Sequence, residues 1–78
     1  MKVIDARGHK CPTPTLKLGR ALRDARPGDR LELIADDPMA RIDVPHFVTQ
    51  TGHHLDSIDD EGSAIRFRIT RSDAAPTG

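Results

Sequence analysis

Apolar positions recur first as a pair, then at helical spacing, then in strict alternation, and these switches divide the chain into elements. Val3 and Ile4 begin a short strand that Asp5-Ala6-Arg7-Gly8 ends, Gly8 permitting the backbone angles of a turn. Over residues 13–26, Leu18, Ala21, Leu22 and Ala25 follow the i, i+3, i+4, i+7 spacing of a helix with one buried stripe. Pro12 or Pro14 fits its first turn, where a missing N–H matters little. Pro27-Gly28 stops that helix, and Leu31, Leu33 and Ala35 then alternate with Arg30, Glu32 and Ile34 as a second strand.

The next stretch opens on Asp36-Asp37-Pro38, which reads as a helix start with Asp37 as cap and Pro38 at the first helical position. Pro45 interrupts this pattern, and Asp43 offers a second cap. The expectation is a turn from Pro38, then a main helical segment around residues 44–51 with Val44, Phe47 and Val48 buried and Gly52 at its end. Residues 53–58 make a weak strand. Leu55 and Ile58 fall on opposite parities, which predicts a bulge or an edge position. After Glu61-Gly62, Ile65, Phe67 and Ile69 alternate with Arg66, Arg68 and Thr70 in the clearest strand signal of the chain.

The predicted order is βαβαββ, an α/β two-layer sandwich with a mixed four-stranded sheet and two helices. A right-handed crossover sets the first two strands parallel. Residues 1–71 read as one domain and residues 72–78 as a disordered tail. Two helices leave one sheet face open, and Arg66, Arg68, Glu32 and Arg30 are expected on it as cross-strand charge pairs.

Composition narrows the classes of function. With 78 residues, 12 basic and 12 acidic, the chain is one small domain of zero formal charge. It lacks the basic footprint of a nucleic-acid binder, and its only aromatics, Phe47 and Phe67, fall on apolar faces rather than forming stacking platforms. Direct nucleic-acid contact is therefore not expected. No stretch approaches the roughly 20 apolar residues of a spanning helix, so no membrane association is expected. One cysteine excludes an internal disulfide framework, and no signal peptide precedes it, which points to the cytoplasm. Charge is unevenly placed: up to Arg30 there are eight basic residues against three acidic, and over residues 31–62 one against eight. The cysteine half is thus basic, either as an ordinary solvated surface or as a face that meets an acidic partner.

That cysteine, Cys11, stands between the first strand and the first helix. A lone cysteine is often a small buried hydrophobe. Here Pro12 disfavours helical angles at Cys11 and Pro14 stiffens the next step, holding the thiol at the mouth of the helix. The positive helix end, Lys10, Arg7 and protonated His9 all favour the thiolate. Both prolines lack N–H groups, leaving the Thr13 amide as the nearby donor. Opposite the buried stripe of the same helix, Leu16, Lys17, Arg20 and Arg23 form a face suited to docking a partner through charge steering. The spacing of His9, Cys11, His46, His53 and His54 is no recognised zinc pattern, and Asp36-Asp37 reads as helix capping rather than a carboxylate pair. No metal or organic cofactor is expected.

Asp5-Ala6-Arg7-Gly8-His9-Lys10-Cys11-Pro12-Thr13-Pro14 resembles the D-A-x-G-x-x-C-P-x-P signature of the TusA/SirA-like small sulfurtransferases. The resemblance continues through Pro27-Gly28, Ala35-Asp36-Asp37-Pro38, Asp43-Val44-Pro45-His46-Phe47 and Gly52-His53-His54-Leu55, most of residues 3–71. It implies the same sandwich and a sulfur carrier whose motif cysteine takes sulfane sulfur as a persulfide and passes it on. That role transfers to Cys11, with Pro12, Pro14, Gly8 and Lys10 in support. His9 departs from the aliphatic residue many members carry there. With no resolving cysteine, the cycle requires partner proteins: a donor such as a cysteine desulfurase or a rhodanese, and a downstream acceptor. Relays of this kind feed tRNA thiolation, cofactor synthesis or sulfur oxidation. The alternative from another class is a regulatory or RNA-interaction module using Arg66 and Arg68 on the open sheet face.

Overall fold

A computed structural model of the chain describes residues 2–9 and 13–72. The elements are β1 (Lys2–Asp5), α1 (Thr13–Asp24), β2 (Arg30–Ala35), α2 (Ala40–Gln50), β3 (His54–Asp60) and β4 (Ile65–Thr70). This is the expected βαβαββ order. The sheet runs β1-β2-β4-β3, with β1 parallel to β2 and β4 antiparallel to its two neighbours. The sheet is therefore mixed, and β1, β2 and β3 share one direction.

Alternation in β2 and β4 decides where the core lies. Leu31, Leu33 and Ala35 pair with Ile69, Phe67 and Ile65, so all six side chains share one face. Both helices cover that face. Leu18, Ala21 and Leu22 of α1 and Ala40, Val44 and Val48 of α2 complete one buried cluster with them. Phe47 is only half-buried and lies against α1, where an added Cβ on Gly19 would come within 3.0 Å of its ring. Gly19 is thus the small residue that lets the two helices approach.

The other face carries the expected charge pairs. Glu32 sits between Arg66 and Arg68 at 3.2 and 3.3 Å, and Arg66 also reaches Glu61 at 3.0 Å. Glu32 is only 7% exposed although no helix covers it. Arginine stems lie along apolar surface while their heads stay wet, and two of them flanking one glutamate shield it. Ile34 is buried on this same face.

Element boundaries follow local chemistry. α1 ends at Asp24, two residues before the expected limit, and the Asp29 carboxylate takes the Arg26 N–H at 3.0 Å ahead of Pro27. α2 differs more from expectation. It runs unbroken from Ala40 through Pro45, so Asp43 lies inside its first turn and does not cap a restarted helix. Proline at this position removes the bond to the Arg41 carbonyl. Arg41 is exposed, so water can serve that carbonyl in its place. Ahead of α2, Asp37 accepts the Met39 N–H at 3.1 Å, and the Asp37 carbonyl accepts the Ala40 N–H at 2.9 Å. The expected cap thus holds the turn that leads into the helix.

At the other end of α2, the His53 N–H donates to the Val48 carbonyl and the Gly52 N–H to the Thr49 carbonyl, with Gly52 at φ 81°. This double bond pattern is the Schellman closure, for which glycine is suited by its tolerance of left-handed angles. β3 then lies at the sheet edge with a register shift between Leu55 and Ser57. Both features expected from the parity of Leu55 and Ile58 are present. The bulge returns Leu55 and Ile58 to the same face, opposite Ile69 and Phe67.

His53, between α2 and β3, is buried, and its Nδ1 accepts the Ser72 N–H at 3.1 Å. Ser72 is thereby fastened to the domain, while residues 73–78 of the expected tail lie outside the described residues. Arg71 Nε donates to the Leu22 carbonyl at 2.7 Å, which ties the end of β4 to α1. Burial, then Arg71, then His54 push the His53 pKa below its ordinary 6.5. Between the lowered value and 6.5 the unfolded chain binds the proton more readily, so stability is full above about pH 6.5 and falls as pH drops through that window. Urea midpoints measured across it are expected to decline for the native chain and to flatten in His53→Gln. Equal slopes for the two chains would show that His53 is not the titrating group.

Candidate functional site

Three residues of the motif, Lys10, Cys11 and Pro12, lie outside the described residues; both flanks are described. On the N-terminal flank, Ala6 is fully buried and its N–H donates to the Ile34 carbonyl at 2.8 Å, extending β1 against β2. The Ala6 carbonyl then accepts the His9 N–H at 3.2 Å, closing a tight turn with Gly8 at φ 85° in its third position. Arg7 has an ordinary negative φ, since no residue other than glycine has a positive one among the described residues. This is a type II turn, which demands a residue able to take positive φ at that place.

Two carboxylates fix the turn. Asp5 accepts the Arg7 backbone N–H at 3.1 Å and grips the Arg7 guanidinium through Nε at 3.0 Å and Nη2 at 2.8 Å. These side-chain and backbone bonds from Arg7, with the nearby Lys17 charge, bring the Asp5 pKa down to about 2. Asp36 reaches from the end of β2 and takes the Gly8 N–H on both carboxylate oxygens at 3.0 Å. It therefore does not cap α2 as its place before Pro38 suggests. Asp36 joins the loop after β1 to the loop after β2.

On the C-terminal flank, α1 begins at Thr13, and Pro14, its second residue, is fully buried. Pro14 thus serves as a packing anchor as well as a first-turn proline. No acidic residue occupies the first turn of α1. No first-turn carboxylate offsets the positive end of the helix, a condition that favours an anion such as a thiolate. Arg7 contributes less to that field than its sequence position implies, because Asp5 neutralises it.

The docking residues separate into two grooves. Leu16 is 66% exposed at the junction of both. Lys17 and Arg20 line the groove between α1 and β1, whereas Arg23 faces the one between α1 and α2, beside Gly19, Phe47 and His53. All four are exposed. Among the described residues, no three His, Cys, Asp or Glu side chains group as a metal site, and no helix is long and apolar enough to cross a membrane.

Sequence reasoning missed the role of Asp36. The signal available was its position: an acidic residue directly after the central parallel strand, at the same sheet end as the loop that follows the neighbouring strand.

The fold is shared with a crystal structure of a SirA-like protein from Desulfitobacterium hafniense, at a TM-score of 0.80 and 22% identity, covering 94% of this chain and 100% of that one. Residues 2–71 match the family described as Sulfurtransferase TusA. The match spans both flanks of the cysteine, the Asp36 loop and all four strands, and it assigns the chain a general role in sulfur transfer together with partner proteins. The chain belongs to the TusA sulfurtransferase family.

Proposed function

We propose that the chain is a cytoplasmic sulfur carrier that takes sulfane sulfur as a persulfide on Cys11 and delivers it to an acceptor protein. The supporting observation is the frame around the cysteine: a type II turn held by Asp5 and Asp36 on one side, and a helix start free of first-turn acids on the other. The Cys11 thiolate attacks the outer sulfur of a donor persulfide. A new S–S bond forms to Cys11 as the old one breaks, and the donor leaves as a thiolate. An acceptor thiolate then attacks that outer sulfur and Cys11 departs as thiolate, so each step exchanges one S–S bond for another without net oxidation. In this reading the Thr13 amide stabilises the thiolate, Pro12 and Pro14 present the cysteine, and Lys10 supports it.

The donor is a protein such as a cysteine desulfurase or a rhodanese, and the acceptor a downstream protein of a relay serving tRNA thiolation, cofactor synthesis or sulfur oxidation. Leu16, Lys17, Arg20 and Arg23 are the docking candidates, all exposed on α1. The RNA-interaction alternative gains nothing from the open face. Arg66 and Arg68 are already paired with Glu32, Glu61 and Asp59.

Incubation with a cysteine desulfurase and cysteine, followed by intact-mass analysis, is expected to show one added sulfur atom on the native chain and none on Cys11→Ser. Equal loading of the two, or none on either, would defeat the proposal.

A further inference from the structure

The two edges of the sheet differ. β3 breaks register between Leu55 and Ser57 and carries Asp56, Asp59 and Asp60. A bulge and charges of one sign are the features that protect an edge from added strands. β1 instead keeps an unbroken parallel register with β2 over its four residues and, among the described residues, has no strand on its outer side. Because the Ala6 N–H points to Ile34 on β2, alternation directs the backbone groups of Ile4 and Lys2 the same way and those of Val3 and Asp5 to the open edge.

Beside that edge, between β1 and α1, runs a groove of about 370 Å³. Ile4 and Leu16 supply apolar surface to it, and Lys2, Lys17 and Arg20 outnumber Asp24, its one acidic side chain. The carboxylate of Asp5, close by, is already paired with Arg7. A regular edge with outward-facing backbone groups beside a basic, partly apolar groove suits an extended segment whose backbone adds to the sheet and whose side chains enter the groove.

We propose that β1 and α1 form a strand-addition site for an extended acidic segment of a partner protein. Its backbone pairs with Val3 and Asp5, and its carboxylates meet Lys2, Lys17 and Arg20. A second copy of this chain is a poorer occupant: β1 against β1 would bring like cations together, and β3 is bulged. The site needs no chemistry at Cys11 and goes beyond the sulfur-carrier reading.

The probe is a short capped peptide alternating glutamate and valine, titrated into the isotope-labelled full chain with amide signals followed by NMR. Saturable shifts centred on Val3 and Asp5 are expected, weakening with salt and unchanged in Cys11→Ser. Lys17→Glu with Arg20→Glu is expected to reduce affinity roughly tenfold through reversed charge pairing. Val3→Pro, which removes the outward N–H of that residue, is expected to reduce it about fivefold. If that variant fails to fold, an N-methylated version of the peptide tests the same bonds on the native chain and is expected not to bind. The proposal is overturned by absence of saturable binding, by shifts centred elsewhere, by equal binding of the N-methylated or a lysine-valine peptide, or by self-association of the chain that the glutamate peptide does not compete away. A chain that binds the peptide but takes no sulfur from a desulfurase would refute the carrier reading alone.

Discussion

Replacing Phe67 with alanine is expected to remove a large part of the stability of the fold. Phe67 is fully buried on β4, between Leu33 of β2 and Ile58 of β3, under both helices. Truncating a buried phenylalanine costs about 3–5 kcal/mol, the lost burial plus the cavity left behind. A chain of 78 residues has roughly 4–12 kcal/mol in total, so the variant stands near the limit of folding at room temperature. Urea denaturation followed by circular dichroism measures this directly. Ile58→Ala, on the same face but 46% exposed at the edge, serves as the matched control with a much smaller loss. Midpoints shifted equally in both variants would mean that the core is not centred on β4.

Asp36→Ala is expected to affect sulfur transfer more than folding. The bond from Gly8 to Asp36 lies at the surface, and its loss costs on the order of 1 kcal/mol. For a domain of this size that lowers the melting temperature by about 4–8 °C and leaves the chain folded at assay temperature. The same bond ties the turn before Cys11 to a residue 28 positions away in the chain. On the proposed role of Cys11, a loosened turn misplaces the thiol against its donor, and small misplacements of reacting groups are expensive in rate, here roughly tenfold. Asp36→Asn keeps one acceptor for the Gly8 N–H and is expected to recover most of the rate. Loading by a desulfurase, timed by mass analysis, gives the comparison. A lower melting temperature with an unchanged loading rate would reduce Asp36 to a structural residue.

These two positions also show what the sequence conveys and what it hides. Phe67 is legible because β4 alternates cleanly, so its burial follows from period alone. The bulge in β3 is legible for a related reason: Leu55 and Ile58 can share a face only if one residue is inserted between them. Asp36 is not legible in the same way, since its partner Gly8 lies 28 residues away and its neighbour Pro38 invites a local reading. Arg7 could have been found, because Asp5 two residues earlier is a carboxylate within reach of its own turn. The continuity of α2 through Pro45 depends on packing of Ala40, Val44 and Val48 on the sheet, which outweighs the local penalty of proline. The burial of Glu32 depends on two arginines brought over it by pairing between β2 and β4, a contact that exists only once the sheet is assembled.

Strand direction has a practical consequence for joining this domain to others. Lys2 begins β1 beside Leu31, and Thr70 closes β4 beside Arg30, so both described ends of the chain leave the sheet where β2 starts. The Gly8 turn and the start of α2 lie where β1 and β2 finish, at the opposite pole. A fused domain that continues from Lys2 or Thr70 would leave the sheet at the pole away from the Gly8 turn and so away from the proposed sulfur site, which suits the fold to tethering.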